Sequence, residues 1–215
     1  MKLLEGLEEV DELMSARWRL LTGDEVKALY DEFWYGVKEL NGNAEGFTGL
    51  AEFVLLRFLV NMLGGAQPRS INKELSAFQC NLDGRCWITH THAVDVGGER
   101  GLKPDVGIWL KIPSYTYWED GGELRAAIEI KAGLDQGIPQ VNAIQANFQR
   151  IISQHPKARC LLIVHRKPST PVQSALAGSG LDFLVLQDDQ NLLWRELSDK
   201  LGMSSPPFRY LIRAY

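Results

Sequence analysis

A carboxylate and an ammonium group lie two residues apart near the end of the apolar segment Leu124 to Lys131. Side chains alternate along a β-strand, so Glu129 and Lys131 share one face of this predicted strand. Charged groups on an apolar strand are costly unless they are paired or bind a metal ion. Asp105 begins the preceding predicted strand, and strand pairing would place it beside Glu129. The alternation predicts two faces: Leu124, Ala126, Ile128 and Ile130 on one, and Arg125, Ala127, Glu129 and Lys131 on the other.

Two converging carboxylates make a site of hard oxygen ligands that suits Mg²⁺, which usually keeps several waters and binds phosphate oxygens. A neighbouring lysine can orient or deprotonate an attacking water and offset the charge that develops on a phosphate. Asp105, Glu129 and Lys131 together therefore indicate metal-assisted hydrolysis of a phosphodiester bond.

Other acids compete for the position of Asp105, because the register of a predicted hairpin is uncertain by a residue or two. Asp95 and Asp120 are the alternatives. The spacing alone is a weak signal, since Glu25-Val26-Lys27 repeats it within a predicted helix. Pro104-Asp105, however, is the only Pro-Asp pair in the chain. The structural alternative is a solvated strand face beside a turn aspartate.

The elements that would position these residues can be predicted from the periodicity of apolar residues. Residues 1–40 form two amphipathic helices, the second beginning at Asp24, and Asn41-Gly42-Asn43 forms a turn. A buried helix spans 48–62, and residues 77–82 and 85–96 form a hairpin around Asp83-Gly84. The remaining predictions are strands at 104–110, 124–131, 160–165, 183–187 and 208–215, and helices at 138–153, 171–177 and 192–201. Antiparallel strands followed by a strand–helix–strand unit predict an α/β fold with a mixed sheet and helices on its faces.

The pair Pro104-Asp105, followed on the next strand by Glu129-Ile130-Lys131, resembles the signature of the PD-(D/E)xK nucleases. That family shares a core of helix, three antiparallel strands, helix and strand, and it includes many type II restriction endonucleases. The resemblance implies a restriction-endonuclease-like core flanked by helices, within a single nuclease domain over 1–215. The helical N-terminal addition would cover 1–44, the catalytic core 45–166 and an α/β tail 167–215.

The resemblance also implies a role for each matching residue. Asp105 and Glu129 would bind the metal together with the Ile130 carbonyl, and Lys131 would serve the nucleophilic water. The family often has a further glutamate on its first core helix, for which Glu52 is the best match and Glu45 the alternative. The implied cofactor is Mg²⁺, for which Mn²⁺ can substitute.

The function implied by the resemblance is that of a Mg²⁺-dependent DNA endonuclease. The first expectation is a type II restriction endonuclease that cuts double-stranded DNA at a specific site. It would work as a homodimer, with a cognate methyltransferase acting on the same site. The alternatives are a related nuclease of repair, mobile-element or antiphage function, and a non-catalytic DNA-binding protein on the same fold.

Several weaker candidates have a structural explanation of equal or greater weight. Cys80, Cys86, His90 and His92 suggest zinc, but their spacing departs from a CxxC pair, and buried cysteines with surface histidines are the default. His90 and His92 would share a strand face. His165 ends a strand on the side where active sites gather, although lone histidines are more often structural. Glutamines 140, 145 and 149 follow the motif on a helix.

Candidate DNA contacts lie in the loops 66–73 and 97–103 and at Arg166-Lys167, where basic side chains could follow phosphates. Ordinary surface charge is the alternative interpretation. Four aromatic residues near a loop could also touch DNA: Trp109, Tyr115, Tyr117 and Trp118.

Composition agrees with an ordinary soluble globular protein, since 45% of the 215 residues are hydrophobic and 23% are charged. A net charge of -4 excludes a uniformly basic surface, though not a local basic groove. Three cysteines do not predict a disulfide framework. Residues 1–19 carry no signal-peptide pattern, and the apolar stretch 53–63 is too short to span a bilayer. The expected location is cytoplasmic, with no membrane association.

Overall fold

A computed structural model describes residues 3–42, 49–64, 68–70, 76–80, 86–97, 101–111, 122–188 and 190–203. Within these ranges the helices are α1 (Leu3–Arg17), α2 (Gly23–Asn41), α3 (Leu50–Met62), α4 (Ile138–Gln154), α5 (Thr170–Gly178) and α6 (Leu193–Lys200). The strands are β1 (Pro68–Ser70), β2 (Ser76–Cys80), β3 (Cys86–His90), β4 (Val106–Lys111), β5 (Glu123–Lys131), β6 (Arg159–Val164) and β7 (Asp182–Val185). A short 3₁₀ helix, Leu186–Asp188, follows β7.

The seven strands form one sheet in which spatial order follows chain order. Strands β1 to β5 pair antiparallel, whereas β5, β6 and β7 pair parallel. The helices α4 and α5 provide the crossovers that parallel neighbours require. The predicted α/β class with a mixed sheet is thus confirmed, and β5 is the strand at which the pairing changes direction.

Helices cover both faces of the sheet, as the element order predicts. One core cluster joins α1, α2, α3 and α6 to residues such as Ile128 and Ile163. The second cluster joins α4 and α5 to the opposite face, through Ala127 and Leu162. Alternating side chains of β5 therefore enter different cores, which explains why this strand is apolar on both faces. No helix in the described ranges is both long enough and apolar enough to cross a membrane.

The predicted orientation of Leu124 is wrong. Ile108 pairs with Ala126, but the next pair joins Trp109 to Leu124, so the register shifts by one residue at Arg125. An extra residue in one strand reverses the face of every side chain beyond it. Leu124 consequently packs with Trp109 in the second cluster, whereas Ala126 and Ile128 remain in the first.

The prediction of α2 agrees closely with the structure, because a side-chain cap marks its start and a glycine marks its end. This helix begins at Gly23 with Thr22 as its N-cap, one residue before the predicted start. It ends at Asn41, and the C-cap residue Gly42 has a φ of 76°, a left-handed conformation that glycine adopts readily. Asn43, the last residue of the predicted turn, lies outside the described residues.

Strand boundaries differ more from the prediction. The hairpin of β2 and β3 is confirmed, but β3 ends at His90 instead of continuing to residue 96, since Thr91 adopts a positive φ of 49°. Strand β4 begins at Val106 rather than Pro104, and β1 falls within a predicted loop. The predicted turn at Asp83-Gly84 and the strand at 208–215 lie outside the described residues.

Candidate active site

The carboxyl end of β5 lies beside the start of β4, because the two strands are antiparallel. Their last ladder pair is Val106 with Ile128, so Asp105 occupies the next position, opposite Glu129. The Asp105 carboxylate accepts a hydrogen bond from the Ile130 backbone N–H, with 2.6 Å between Oδ2 and N. A side chain therefore satisfies a buried amide that lies just beyond the regular ladder.

Lys131 links the two carboxylates of this site. Its Nζ lies 2.6 Å from Glu129 Oε1 and 3.3 Å from Asp105 Oδ2. Asp105 is the most buried of the three, with 11% of its side chain exposed, against 23% for Glu129 and 25% for Lys131. The group is therefore fixed by backbone contact at Asp105 and open to solvent at the other two side chains.

Burial and charge shift the acid–base behaviour of the site. Burial, followed by the nearby charge of Glu129, raises the pKa of Asp105 to about 6, although the Ile130 amide and the Lys131 ammonium oppose the shift. Burial also lowers the pKa of Lys131, but its contacts with Glu129 and Asp105 outweigh burial, so the net shift of this pKa is upward. Lys131 is consequently a cation at neutral pH in this arrangement.

Glu52 joins this group from the first turn of α3. Its Oε2 lies 3.0 Å from Nε2 of His90, the last residue of β3. The hydrogen bond to Glu52 raises the pKa of His90, and the charge of Glu52 contributes to the raised pKa of Asp105. The structure thus brings Asp105, Glu129 and Lys131 into contact, and it places Glu52 against His90, near enough for the charge of Glu52 to raise the pKa of Asp105.

Sequence reasoning missed the position of His90, which it considered only as a zinc candidate. The contact depends on how α3 packs against the sheet, and residue spacing does not reveal that packing. A usable signal was present, however. His90 ends the strand that pairs with β4, and this pairing predicts that its side chain lies near the start of β4.

Of the four zinc candidates, the two cysteines lie beside each other, whereas the two histidines make other contacts. Cys80 and Cys86 are buried opposite each other in the hairpin, and His90 contacts Glu52. His92 instead packs on Trp109, 5.9 Å between ring centroids, because the positive φ of Thr91 turns the chain; the prediction that the two histidines share a face is wrong. Among the described residues, no three or more His, Cys, Asp or Glu side chains form a set that could hold a metal ion.

The alternative acids are either engaged elsewhere or lie outside the described residues. Asp95 Oδ1 accepts a hydrogen bond from the Gly97 backbone N–H at 2.8 Å, which closes a local turn. The Asp95 carbonyl oxygen lies 3.0 Å from His155 Nε2. Asp120 and Glu45 fall outside the described ranges.

The predicted DNA contacts have different outcomes. The prediction that Trp109 touches DNA is wrong, because this side chain is buried and its Nε1–H donates to Thr89 Oγ1 at 2.9 Å. Arg166 is half exposed, and its guanidinium binds Asp135 at 3.0 Å. Lys103 is exposed, two residues before Asp105. Residues 68–70 of the predicted loop form β1. Arg100, Tyr115, Tyr117 and Trp118 lie outside the described residues.

Two further candidates are integrated into the framework. His165 is fully buried, with its Nε2 lying 3.2 Å from the carbonyl oxygen of Ala51. Gln145 Nε2 donates to the Ser179 carbonyl at 2.6 Å and so ties α4 to the end of α5. Cys160, predicted to be a core residue, is buried.

Comparison of the sequence with models of protein families finds no match, and comparison with curated proteins finds no relative. The chemistry of the site therefore has to be inferred from its geometry. The Lys131 ammonium group contacts both the Asp105 and Glu129 carboxylates, and the Glu52 carboxylate binds the imidazole of His90 nearby.

Proposed function

We propose that this protein is a Mg²⁺-dependent DNA endonuclease with an active site of the PD-(D/E)xK type. The observation that carries the proposal is the contact of Lys131 with both Asp105 and Glu129 at the end of β5. A carboxylate pair with a neighbouring ammonium group suits hydrolysis of a phosphodiester bond. Active sites also concentrate acids with shifted pKa values, such as Asp105.

The order of the elements supports the same proposal. Five antiparallel strands separate α3 from α4; leaving aside the first two, β1 and β2, the chain forms helix α3, strands β3, β4 and β5, helix α4 and strand β6 in that order. This is the order of helix, three antiparallel strands, helix and strand expected of a restriction-endonuclease-like core. Asp105 directly precedes β4, Glu129 and Lys131 lie at the end of β5, and Glu52 lies in the first turn of α3, so the candidate residues come from one end of that core.

The donor set of the site fits Mg²⁺, or Mn²⁺ in its place. The Asp105 and Glu129 carboxylates and the Ile130 carbonyl would hold the ion, leaving room for waters and phosphate oxygens. When bound, the ion would stabilise the charge that develops on the phosphate and the leaving 3′ oxygen. All three protein donors are oxygens, which magnesium prefers to nitrogen or sulfur.

Lys131 acts on the water and the phosphate through hydrogen bonds. Because its pKa is raised, Lys131 carries three N–H donors at neutral pH and offsets negative charge as the P–O bond forms. A role in deprotonating the water would require the loss of its contacts with Glu129 and Asp105, which keep it protonated. Glu52 adds a further carboxylate beside this group and is held there by His90.

The biological role that we propose first is that of a type II restriction endonuclease that cuts double-stranded DNA at a specific site. Each subunit of such an enzyme cuts one strand, so the active form would be a homodimer on a symmetric site. A cognate methyltransferase would protect that site in the host. Nucleases of repair, mobile-element or antiphage function would use the same residues without this specificity.

The test is digestion of unmethylated phage DNA by the purified protein, with Mg²⁺ and with a chelator. We expect discrete fragments in Mg²⁺ alone, no cleavage by Lys131→Ala, and normal cleavage by Lys157→Ala at the opposite edge of the sheet. A metal-dependent smear would reassign the enzyme to the less selective nucleases. Intact DNA, together with binding that is indifferent to metal, would favour the non-catalytic alternative.

A further inference from the structure

His165 is the first residue after β6, and its side chain is completely buried. The imidazole packs against Tyr30, with 4.7 Å between ring centroids and 51° between the ring planes, and its Nε2 lies 3.2 Å from the Ala51 carbonyl oxygen. Because a carbonyl can only accept, the contact assigns the hydrogen to Nε2. Burial lowers the pKa of His165 to about 4, so the ring is neutral under physiological conditions.

The backbone of His165 makes a second connection. Its N–H donates to the Lys131 carbonyl, 2.9 Å away. Ala51 directly precedes Glu52. His165 is therefore hydrogen-bonded both to the end of β5 and to the first turn of α3. That first turn has no side-chain cap of its own, since the N-cap position is Gly49. The Nε2–H of His165 donates to a carbonyl of this turn, so it anchors the turn to the sheet but does not cap its free N–H groups.

The chemistry of the buried ring argues against simple space-filling. Among the described residues, His165 Nδ1 has no hydrogen-bond partner. An unsatisfied polar atom in a core is costly, and an apolar side chain would pack against Tyr30 without that cost. The Nε2 contact with Ala51 is the only compensation that the structure provides in its described part.

We propose that His165 is a positioning residue that fixes the first turn of α3 relative to the end of β5. The hydrogen bond from its Nε2–H to the Ala51 carbonyl holds the neighbouring Glu52 in place. The hydrogen bond from its backbone N–H to the Lys131 carbonyl connects this turn of α3 to the proposed catalytic lysine. The consequence for cleavage rests on the proposed function. The consequence for the geometry of the Glu52–His90 pair does not.

The two consequences can be measured separately in the full chain. His165→Leu removes the donor at similar volume, whereas His165→Gln places an amide N–H near the position of Nε2. NMR titration of His90 reports on Glu52, because their hydrogen bond raises the His90 pKa. We expect the His90 pKa to fall towards its ordinary value in His165→Leu and to stay raised in His165→Gln.

Cleavage kinetics give the second readout. We expect His165→Leu to lose up to about 100-fold in kcat, the scale of a small misplacement of catalytic groups, with little change in KM. His165→Gln should recover most of that loss. If the wild type fails to cleave DNA, the proposed function fails, but the His90 titration still tests the positioning role.

Three results would overturn the proposal. The first is a folded His165→Leu protein with unchanged His90 titration, and the second is a His165→Gln protein that behaves like His165→Leu. The third needs no variant: NMR of the wild type should detect a slowly exchanging proton on His165 Nε2, and a ring protonated at Nδ1 instead would refute the bond to Ala51. His165→Asn, whose amide is too short to reach Ala51, replaces His165→Leu if that variant does not fold.

Discussion

Asp105, a proposed metal ligand, imposes a cost on the folded state. Its carboxylate is buried, accepts a hydrogen bond from the Ile130 backbone N–H and lies opposite Glu129 on the neighbouring strand. Because its folded pKa is about 6, above the ordinary value for an aspartate, the folded protein binds this proton more tightly than the unfolded chain does. Protonated Asp105 thus stabilises the fold, and this stabilisation is lost as the pH rises through about 6.

Asp105→Asn should therefore increase stability while it removes function. The amide oxygen can still accept the Ile130 N–H, but it carries no charge to be buried. At pH 7.5 we expect the free energy of unfolding to exceed that of the wild type by about 1–3 kcal/mol, whereas below pH 4 the two proteins should converge. Urea denaturation across this pH range measures the difference.

The matched control is Glu123→Gln, which removes an exposed carboxylate at the other end of β5 and therefore relieves no buried charge. Mg²⁺ should raise the melting temperature of the wild type but not that of Asp105→Asn, since only the wild type retains the charged donor. A variant that is less stable than the wild type at pH 7.5 would contradict the pKa assigned to Asp105.

Lys131 should separate catalysis from DNA binding. In Lys131→Ala we expect cleavage to be abolished and the affinity for a DNA duplex to stay within a few-fold, as an oligonucleotide-binding assay can measure. Loss of the ammonium group also leaves Asp105 facing Glu129 without a counter-charge, so the Asp105 pKa should rise further. Carbon-13 NMR of the carboxyl group would detect that rise; substantial remaining turnover would exclude Lys131 from the mechanism.

At the scale of elements, prediction succeeded where local chemistry determines the structure. The N-cap of α2 is a capping box: Thr22 Oγ1 accepts from the Glu25 N–H at 3.3 Å, and Glu25 Oε2 accepts from the Thr22 N–H at 2.9 Å. Both groups are only three residues apart, so the sequence alone defines this helix end. The Glu-x-Lys motif at the end of β5 is local in the same sense.

Prediction failed where the structure depends on distant contacts. The register shift at Arg125 follows from how β4 meets β5, and the three-residue strand β1 is too short to show a period. The contact between His90 and Glu52, and that between His165 and Ala51, depend on the packing of α3 on the sheet. These contacts join residues 38 and 114 positions apart, which no local pattern can connect.

The capping box makes a prediction at this scale. Thr22→Ala removes an acceptor for the N–H groups of the first turn of α2, so we expect a loss of about 1 kcal/mol in the free energy of unfolding. Thr22→Ser keeps the hydroxyl and should lose much less. Chemical denaturation of both variants would check this, and equal losses would assign the effect to the threonine methyl group instead of the cap.

At the scale of the whole molecule, the two core clusters leave one edge of the sheet for chemistry. The helices α1, α2, α3 and α6 pack on one face and α4 and α5 on the other, while the candidate site lies at the carboxyl end of β5. In sheets with parallel strands, ligands bind beside this end of the strands. The position of the site thus follows from the fold as a whole as well as from the motif.

The net charge of -4 also makes a prediction at this scale, because DNA binding by such a chain has to depend on a few local cations. Lys103 is exposed two residues before Asp105, while Lys157 is exposed just before β6, at the opposite edge of the sheet.

If DNA lies across the proposed site, Lys103→Gln should weaken binding to all duplexes. It should also reduce the slope of log affinity against log salt by about one unit. Lys157→Gln carries the same change of charge and should leave both quantities unaltered. Binding titrations from low to moderate salt would measure the slopes, and equal effects of the two substitutions would show that DNA does not approach the edge that carries Asp105.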